Sequence, residues 1–442
     1  MIFGTSRNEL RLLRLMKSLL VLVILLLVLN APARIFNVLD YGAKPDGVTL
    51  DTVAIQKALD DCGNAGGGTV EFPAGIYLSQ PIVLRGPATF NLEPGATLLA
   101  VTNQNDFMKT PGDWLKARSS GEFIPFIGGR NLKDITVTGG GTIDGSGYAW
   151  WGEAEKARQR VPGYTLPRPD LVVLRQCENV VIENITLQNS PKYHFVPDEC
   201  EGVLVSNVTI LAPEHAANTD AIDPTDSREV LITRCRIDTG DDNVAIKAGH
   251  KVADREFASE DITISDCLFL HGHGVSIGSE TVGGVRNVVV TNCVFDGTEN
   301  GLRIKSQRGK GGLVENVVYE DIRMTNVDPA VTFTFYYMAN SAKDPVERAA
   351  PESDTAQAMT RRTPIVRDIY IKNVTASCQR GAGIIVGLPE SAISNVVFEN
   401  VNISAVTGMK IENAKEIRFK NSIVTTEEGE PFITKNAEVE DR

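Results

Sequence analysis

The sequence predicts an all-β, single-domain parallel β-helix with one short capping helix near its N-terminal end. Three observations predict it. A strand-and-turn unit recurs along most of the chain at steps of mostly 21 to 32 residues. The units are too short to hold a helix of ordinary length beside their strands. One stretch with helical apolar spacing precedes them all.

The recurring unit is clearest at Val180-Val181-Ile182-Glu183-Asn184-Ile185-Thr186-Leu187. It returns as Val203-Leu204-Val205-Ser206-Asn207-Val208-Thr209-Ile210, then around Arg234, Asp266, Asn292, Asp321, Asn373, Asn400 and Asn421. The one long step, Asp321 to Asn373, carries a polar insertion at about 339–362. Each unit holds a β-rich run, a polar turn residue, an apolar residue directly after it, and a second short run. Two or three short strands per unit is the signature of a stacked coil, in which each unit buries its apolar face only against its neighbours. Side chains alternate along a strand, so Val244 and Ile246 point inward and Ala245 and Lys247 outward. Asparagine and glycine crowd the corners, where a left-handed backbone or a side-chain turn bond is needed.

The capping helix is predicted over Asp51 to Cys62, from the spacing of Val53, Ile55, Ala58 and Leu59. Asp51 or Thr49 is the candidate N-cap, and Gly66-Gly67-Gly68 ends the stretch. A helix there would cover the open strand edges of the first coil. Residues 34–425 are assigned to the β-helix. The acidic, polar segment 426–442 is expected to be a tail or a weak end cover.

Residues 1–33 read as an export signal. Ser18 to Leu29 is almost wholly apolar, basic residues precede it, and Ala31-Pro32-Ala33 gives the small-x-small cleavage spacing. The run is shorter than the roughly 20 residues of a membrane span. The expectation is a secreted or periplasmic protein with no stable membrane association after cleavage. The seven cysteines lack any C-x-x-C pair, so zinc is not indicated. Cys235, Cys267 and Cys293 occupy the apolar slot after the turn residue and read as buried packing thiols. The net charge of −12 over 442 residues argues against nucleic-acid binding, which needs a basic surface. A monomer is expected.

Against that acidic background, four polar groups fall at one recurring phase: Asn218-Thr219-Asp220, Asp241-Asp242, Gly272-His273-Gly274 and Arg303-Ile304-Lys305. Aligned on the second run of each unit, Asp242 takes the slot that His273 holds one coil later and Asn300 one coil after that. Asp220 lies one coil earlier, near the same corner. Single aspartates at turns are ordinary turn chemistry. An Asp-Asp pair with a third Asp on the preceding coil is not. Three such acids repel, so one of them stays protonated, and a protonated carboxylic acid beside a carboxylate is the equipment of glycoside cleavage. His273 would hold an acid in its working protonation state or bond a substrate. Arg303 and Lys305, beside the acids, suit an anionic sugar through forked, charge-assisted bonds. Tyr336 or Tyr337 falls on the following coil as a sugar platform. Trp150-Trp151 reads as packing.

These four motifs, in this order on a coil repeat, resemble the polygalacturonases, the family 28 glycoside hydrolases. The opening Phe36-Asn37-Val38 with Asp40-Tyr41-Gly42-Ala43 is similar too, and the likeness spans about 35–425. The resemblance implies a right-handed parallel β-helix and inverting hydrolysis of α-1,4-linked galacturonate in pectin. It implies Asp241 as general acid, Asp220 and Asp242 as holders of the attacking water, and His273 as support for the acid. It implies Arg303 and Lys305 as ligands of the galacturonate carboxylate, with Asn218 and one of Tyr336 and Tyr337 beside the substrate. It implies no metal or organic cofactor.

Within that resemblance, the intact His and R-I-K set favours plain galacturonan over branched rhamnogalacturonan, and hydrolysis of another pectic polymer, rhamnogalacturonan or xylogalacturonan, is the alternative. Segments at about 102–125, 148–170 and 339–362 are long enough to wall one end of a groove, which makes exo action the expectation. Two other classes remain to be distinguished. A β-helix pectate lyase would need calcium-binding acids and an Arg or Lys base. A carbohydrate-binding surface protein would have no use for the acids.

Overall fold

The computed structural model describes residues 34–161, 164–249, 251–252, 255–256, 258–337 and 354–441. The expected export signal and most of the 339–362 insertion lie outside them. The body from Phe36 onward is a parallel β-helix of three strand faces. The first face stacks Lys133–Thr138, Glu178–Glu183, Glu201–Ser206, Arg228–Thr233, Ser259–Ser265 and Val285–Thr291, each parallel to the next. The second face stacks Thr142–Asp144, Thr186–Gln188, Thr209–Leu211 and Arg236–Asp238. The third stacks Val244–Ile246, Val275–Gly278, Leu302–Lys305 and Val331–Thr334. In the later coils the first two faces merge into long bent strands such as Leu313–Val327 and Ile365–Cys378.

Register explains why the repeat folds this way. Val180, Val203, Val230, Ile262 and Val288 pair in one column, so every coil buries its branched side chain on the one below. Phe269 and Phe295 stack the same way, with ring centroids 4.8 Å apart. Burial of such a column is non-directional, but the pleat fixes which residues enter it. Between the first and second faces the chain turns on one residue per coil. Asn184, Asn207, Arg234, Asp266, Asn292, Asp321, Asn373, Asn400 and Asn421 all sit at φ between 46° and 56°. This is the left-handed region that Asn and Asp tolerate better than other residues with a Cβ. Their side chains bond from coil to coil: Asn207 donates to Asn184 at 2.8 Å, Asn400 to Asn373 at 3.1 Å and Asn421 to Asn400 at 2.7 Å. Cys235, Cys267 and Cys293 follow directly, buried and free, as the packing reading expected.

Helix α1, Thr52–Asn64, buries Ile55, Ala58, Leu59 and Cys62. Val53, expected on the same face, is exposed instead. Asp51 holds the N-cap position, but its carboxylate accepts from Lys44 N at 2.7 Å rather than capping the helix. A second helix, α2, Tyr148–Arg160, was not expected. It stands in the connection from Thr142–Asp144 to Val172–Arg175 of one coil, so the expectation that no unit holds an ordinary helix fails at this coil. Trp150 anchors it, fully buried among Phe107, Trp114 and Phe123. That cluster ties the 102–125 segment to α2, and Trp150 is packing as read. Rather than fraying, the polar segment after 426 adds a rung. Phe432–Asp441 pairs in parallel with Thr407–Lys420.

Candidate active site

The third face places the four motifs on one outer corner. Ile222 bridges to Val244, which pairs with Val275, which pairs with Leu302. Two residues before each of these stand Asp220, Asp242, His273 and Asn300. One residue after them run Asp223, Ala245, Ser276 and Arg303, and three residues after Ile222, Val244 and Leu302 stand Thr225, Lys247 and Lys305. The glycines beside His273 let the coils close up. Gly272 and Gly274 have φ of 115° and 72°, and a Cβ on Gly274 would meet the Asn300 carbonyl at 2.1 Å. His273 N then donates to Asp241 O at 3.0 Å.

The three aspartates differ in what holds them. Asp242 is fully buried. Its carboxylate accepts from Ser276 Oγ at 2.8 Å and Arg303 Nη1 at 3.0 Å, and pairs with Lys305 Nζ. Burial alone would push it up, but Lys305 and Arg303 hold it below the usual carboxylate range. Asp241 is the most open, with 16% of its side chain exposed against 5% for Asp220 and 1% for Asp242. It faces His273 Nδ1 at 3.0 Å and accepts from Asn218 N at 3.1 Å and its own neighbour Asp242 N at 2.9 Å. Burial again opposes ionisation, yet His273 and Lys305 keep this carboxyl well below its usual range. Asp220 is the reverse. Burial, with Asp223 and Asp241 nearby, pushes it well above the carboxylate range, and Lys247 at 3.4 Å offsets only part of that.

His273 lies between Asp241 and Glu299, whose Oε2 is 3.0 Å from Nε2. Burial would lower the imidazole, but the two carboxylates lift it to about 10. It is therefore a cation at neutral pH, donating from both ring nitrogens. Arg303 and Lys305 occupy the outward slots read from the pleat, but they are not solvated charges; both are 4% exposed. Tyr337 covers them, with its ring centroid 4.9 Å from Lys305 Nζ and 5.5 Å from the Arg303 guanidinium. Tyr336, the other expected sugar platform, is buried and its hydroxyl donates to Asp354. Of the two tyrosines, only Tyr337 faces the cations among the described contacts.

Four groups at this corner were not among the expected site residues, although the pleat had placed Lys247 outward. Asp223 and Lys247 pair with each other beside Asp220. Glu299 holds His273 from the solvent side. Arg168, buried to 1%, donates from Nη2 to Ala217 O and Asn218 Oδ1, each at 3.0 Å, and so orients the Asn218 that bonds Asp241. Asp223 and Lys247 lie at the same pleat positions as Arg303 and Lys305, a signal the register carried. Arg168 comes from the excursion after α2 and left no local signal.

Asp241, Asp242 and His273 also bring three potential metal-ligand atoms within 4.8 Å of one another. Both Asp242 oxygens already accept from Ser276, Arg303 and Lys305. Those protein cations stand where a calcium-type oxygen cage would have to form.

Residues 62–425 match the family Glycosyl hydrolases family 28. The chain belongs to that family. As a member of family 28, the polygalacturonase family, it is a glycoside hydrolase. An endo-polygalacturonase of Pectobacterium carotovorum subsp. carotovorum is 32% identical over 382 residues, covering 84% of this chain and 88% of that protein. The structure of a polygalacturonase from Erwinia carotovora ssp. carotovora superposes with a TM-score of 0.74 at 30% identity, covering 88% of this family 28 chain and 97% of the other. That of a family 28 exopolygalacturonase from Yersinia enterocolitica gives 0.75 at 26% identity, covering 93% and 78%.

Proposed function

We propose that this hydrolase cleaves α-1,4-galacturonosyl linkages of pectic galacturonan with inversion, working from chain ends. The observation that supports it most is the single corner that joins Asp241, the most open acid, to the Arg303, Lys305 and Tyr337 cluster through Asp242. A sugar carboxylate at those cations sets the neighbouring glycosidic oxygen against Asp241. Asp241, ionised at rest, takes a proton from His273, a cation 3.0 Å away, and gives it to that oxygen. Asp242, kept ionised by its cations, and Asp220, once its own proton is lost, hold the water that attacks from the opposite face, and Asp220 takes that water's proton.

Two features speak to the substrate and the mode of action. A lyase would draw its power from calcium held by free carboxylates, whereas here the carboxylates are matched to protein cations. The aromatic cluster around Trp150 joins the 102–125 excursion to α2 beside the early coils, which supports a wall there. A wall beyond the early subsites admits a chain end and turns away a continuous polymer. Relatives of both modes exist, so product analysis is the test. The protein is incubated with polygalacturonate, and products are sized over time while absorbance of unsaturated ends is followed. The proposal expects reducing ends, monomer or a single short product from the outset, and no ultraviolet rise. A ladder of long oligomers would replace exo with endo action. Absence of reducing ends from any acidic pectic polymer would overturn the substrate.

A further inference from the structure

The three aspartates are flanked on both sides by a tyrosine ring bearing two cations. On the later coils Tyr337 covers Arg303 and Lys305. On the earlier coils Tyr193 has Lys192 Nζ 3.6 Å and Lys247 Nζ 4.1 Å from its ring centroid. The register relates the two clusters. Lys247 holds the slot of Lys305 two coils earlier, with side-chain-free Gly278 between them. At the usual interstrand spacing that separates the two lysine positions by about 10 Å. Each lysine is anchored by a buried aspartate, Lys305 by Asp242 and Lys247 by Asp223.

We propose that Lys192, Lys247 and Tyr193 form a second site for a uronate carboxylate, across the scissile bond from Arg303, Lys305 and Tyr337. The proposal rests on the galacturonan reading and gives it a second anchor. Every unit of such a polymer carries a carboxylate. A groove with cations on only one side of the bond would leave the next unit's charge facing the aspartates without a partner.

The earlier cluster is the more accessible one. The side chains of Lys192 and Lys247 are 9% and 15% exposed, against 5% and 6% for Arg303 and Lys305. Lys247 spends donors on Asp223 and on Asp220 at 3.4 Å. Lys192 meets Asp170 only at 3.7 Å, longer than a hydrogen bond. An ammonium has three donors, so Lys192 keeps capacity for an arriving carboxylate. As a counter-ion for the buried acids, Lys247 pairs directly with Asp223, whereas Lys192 acts on Asp223 only from a distance.

The test uses the wild-type enzyme with short oligogalacturonides, each methyl-esterified at one defined unit, together with Lys192→Met and Lys192→Arg. Wild-type cleavage of the unesterified oligomer is scored first, and its failure sinks the galacturonan reading itself. Given cleavage, esters on either side of the scissile bond should each raise KM. Lys192→Met should raise KM for the free acid by about tenfold, the loss of one charge-assisted bond, and reduce the preference for acid over ester. Lys192→Arg should restore both. If Lys192→Met keeps the wild-type KM and ester preference, the second site does not exist. Should that variant fail to fold, the wild-type series decides alone. Tolerance of esters on the side away from Arg303 and Lys305 overturns the proposal.

Discussion

Two corners of the same coil behave differently. The corner between the first and second faces uses Asn or Asp on every coil but that of Arg234, and most of these side chains bond the one on the next coil. The corner leading into the third face changes residue at every coil: Asp220, then Asp242, then His273, then Asn300. At the first corner the ladder satisfies itself and asks nothing of solvent or ligand. At the second, unlike charges stand one coil apart, and each is held in a different protonation state by its neighbours. A stacked coil thus builds its scaffold where the repeat is kept and its chemistry where the repeat is broken.

The largest expected effect lies at the broken corner. Asp241→Asn removes the proposed proton donor while keeping its size, and kcat should fall by roughly 10²–10⁴-fold, the span of general acid catalysis. Folding should be little changed, as checked by thermal melting. Activity near wild type would move the proton donor to Asp220, the acid that burial already keeps protonated.

The pH profile comes next. A water-activating carboxylate must lose its proton, so activity should rise with pH as the Asp220, Asp223 and Lys247 group ionises; burial holds Asp223 at about 6 despite Lys247. The Asp241 and His273 pair must keep its proton, so activity should fall as pH rises toward the His273 value of about 10. His273→Gln should bring that alkaline limb to lower pH. The same group bears on stability. Its folded value lies above the ordinary imidazole value, so the stabilisation is full below about 6.5 and fades between there and about 10. Denaturant midpoints across that window should drop in the wild type and stay flatter in His273→Gln.

The smallest effect belongs to the regular corner. Asn400→Gly keeps the left-handed backbone but removes the side chain that bonds Asn373 and Asn421. It should cost about 1 kcal/mol, the net worth of a hydrogen bond, with kcat and KM unchanged. A loss of activity there would mean that the two corners are not independent.

Much of this was legible in the sequence. Polar turn residues followed by an apolar slot predicted the coil path, and the same slots turned out to be left-handed corners and buried columns. The pleat placed Arg303 and Lys305 outward, and the register brought them to the acids. The burial of those two cations was not legible, because Tyr337 and Asp242 cover them from other coils. Helix α2 was missed because it leaves the repeat, where periodicity says nothing. Asp223 was passed over although its pleat position matches that of Arg303.

By itself the sequence determined the repeat, the phase of the four motifs and therefore which residues share a corner. Those depend on local backbone preference and side-chain alternation, which each unit carries within it. Only the tertiary structure decided the charge states: Asp242 ionised between Arg303 and Lys305, Asp220 pushed toward protonation, His273 a cation between two carboxylates. Charge states follow from burial and from distances of a few ångströms between different coils. Coulomb energies change steeply over such distances, and no spacing along the chain records them.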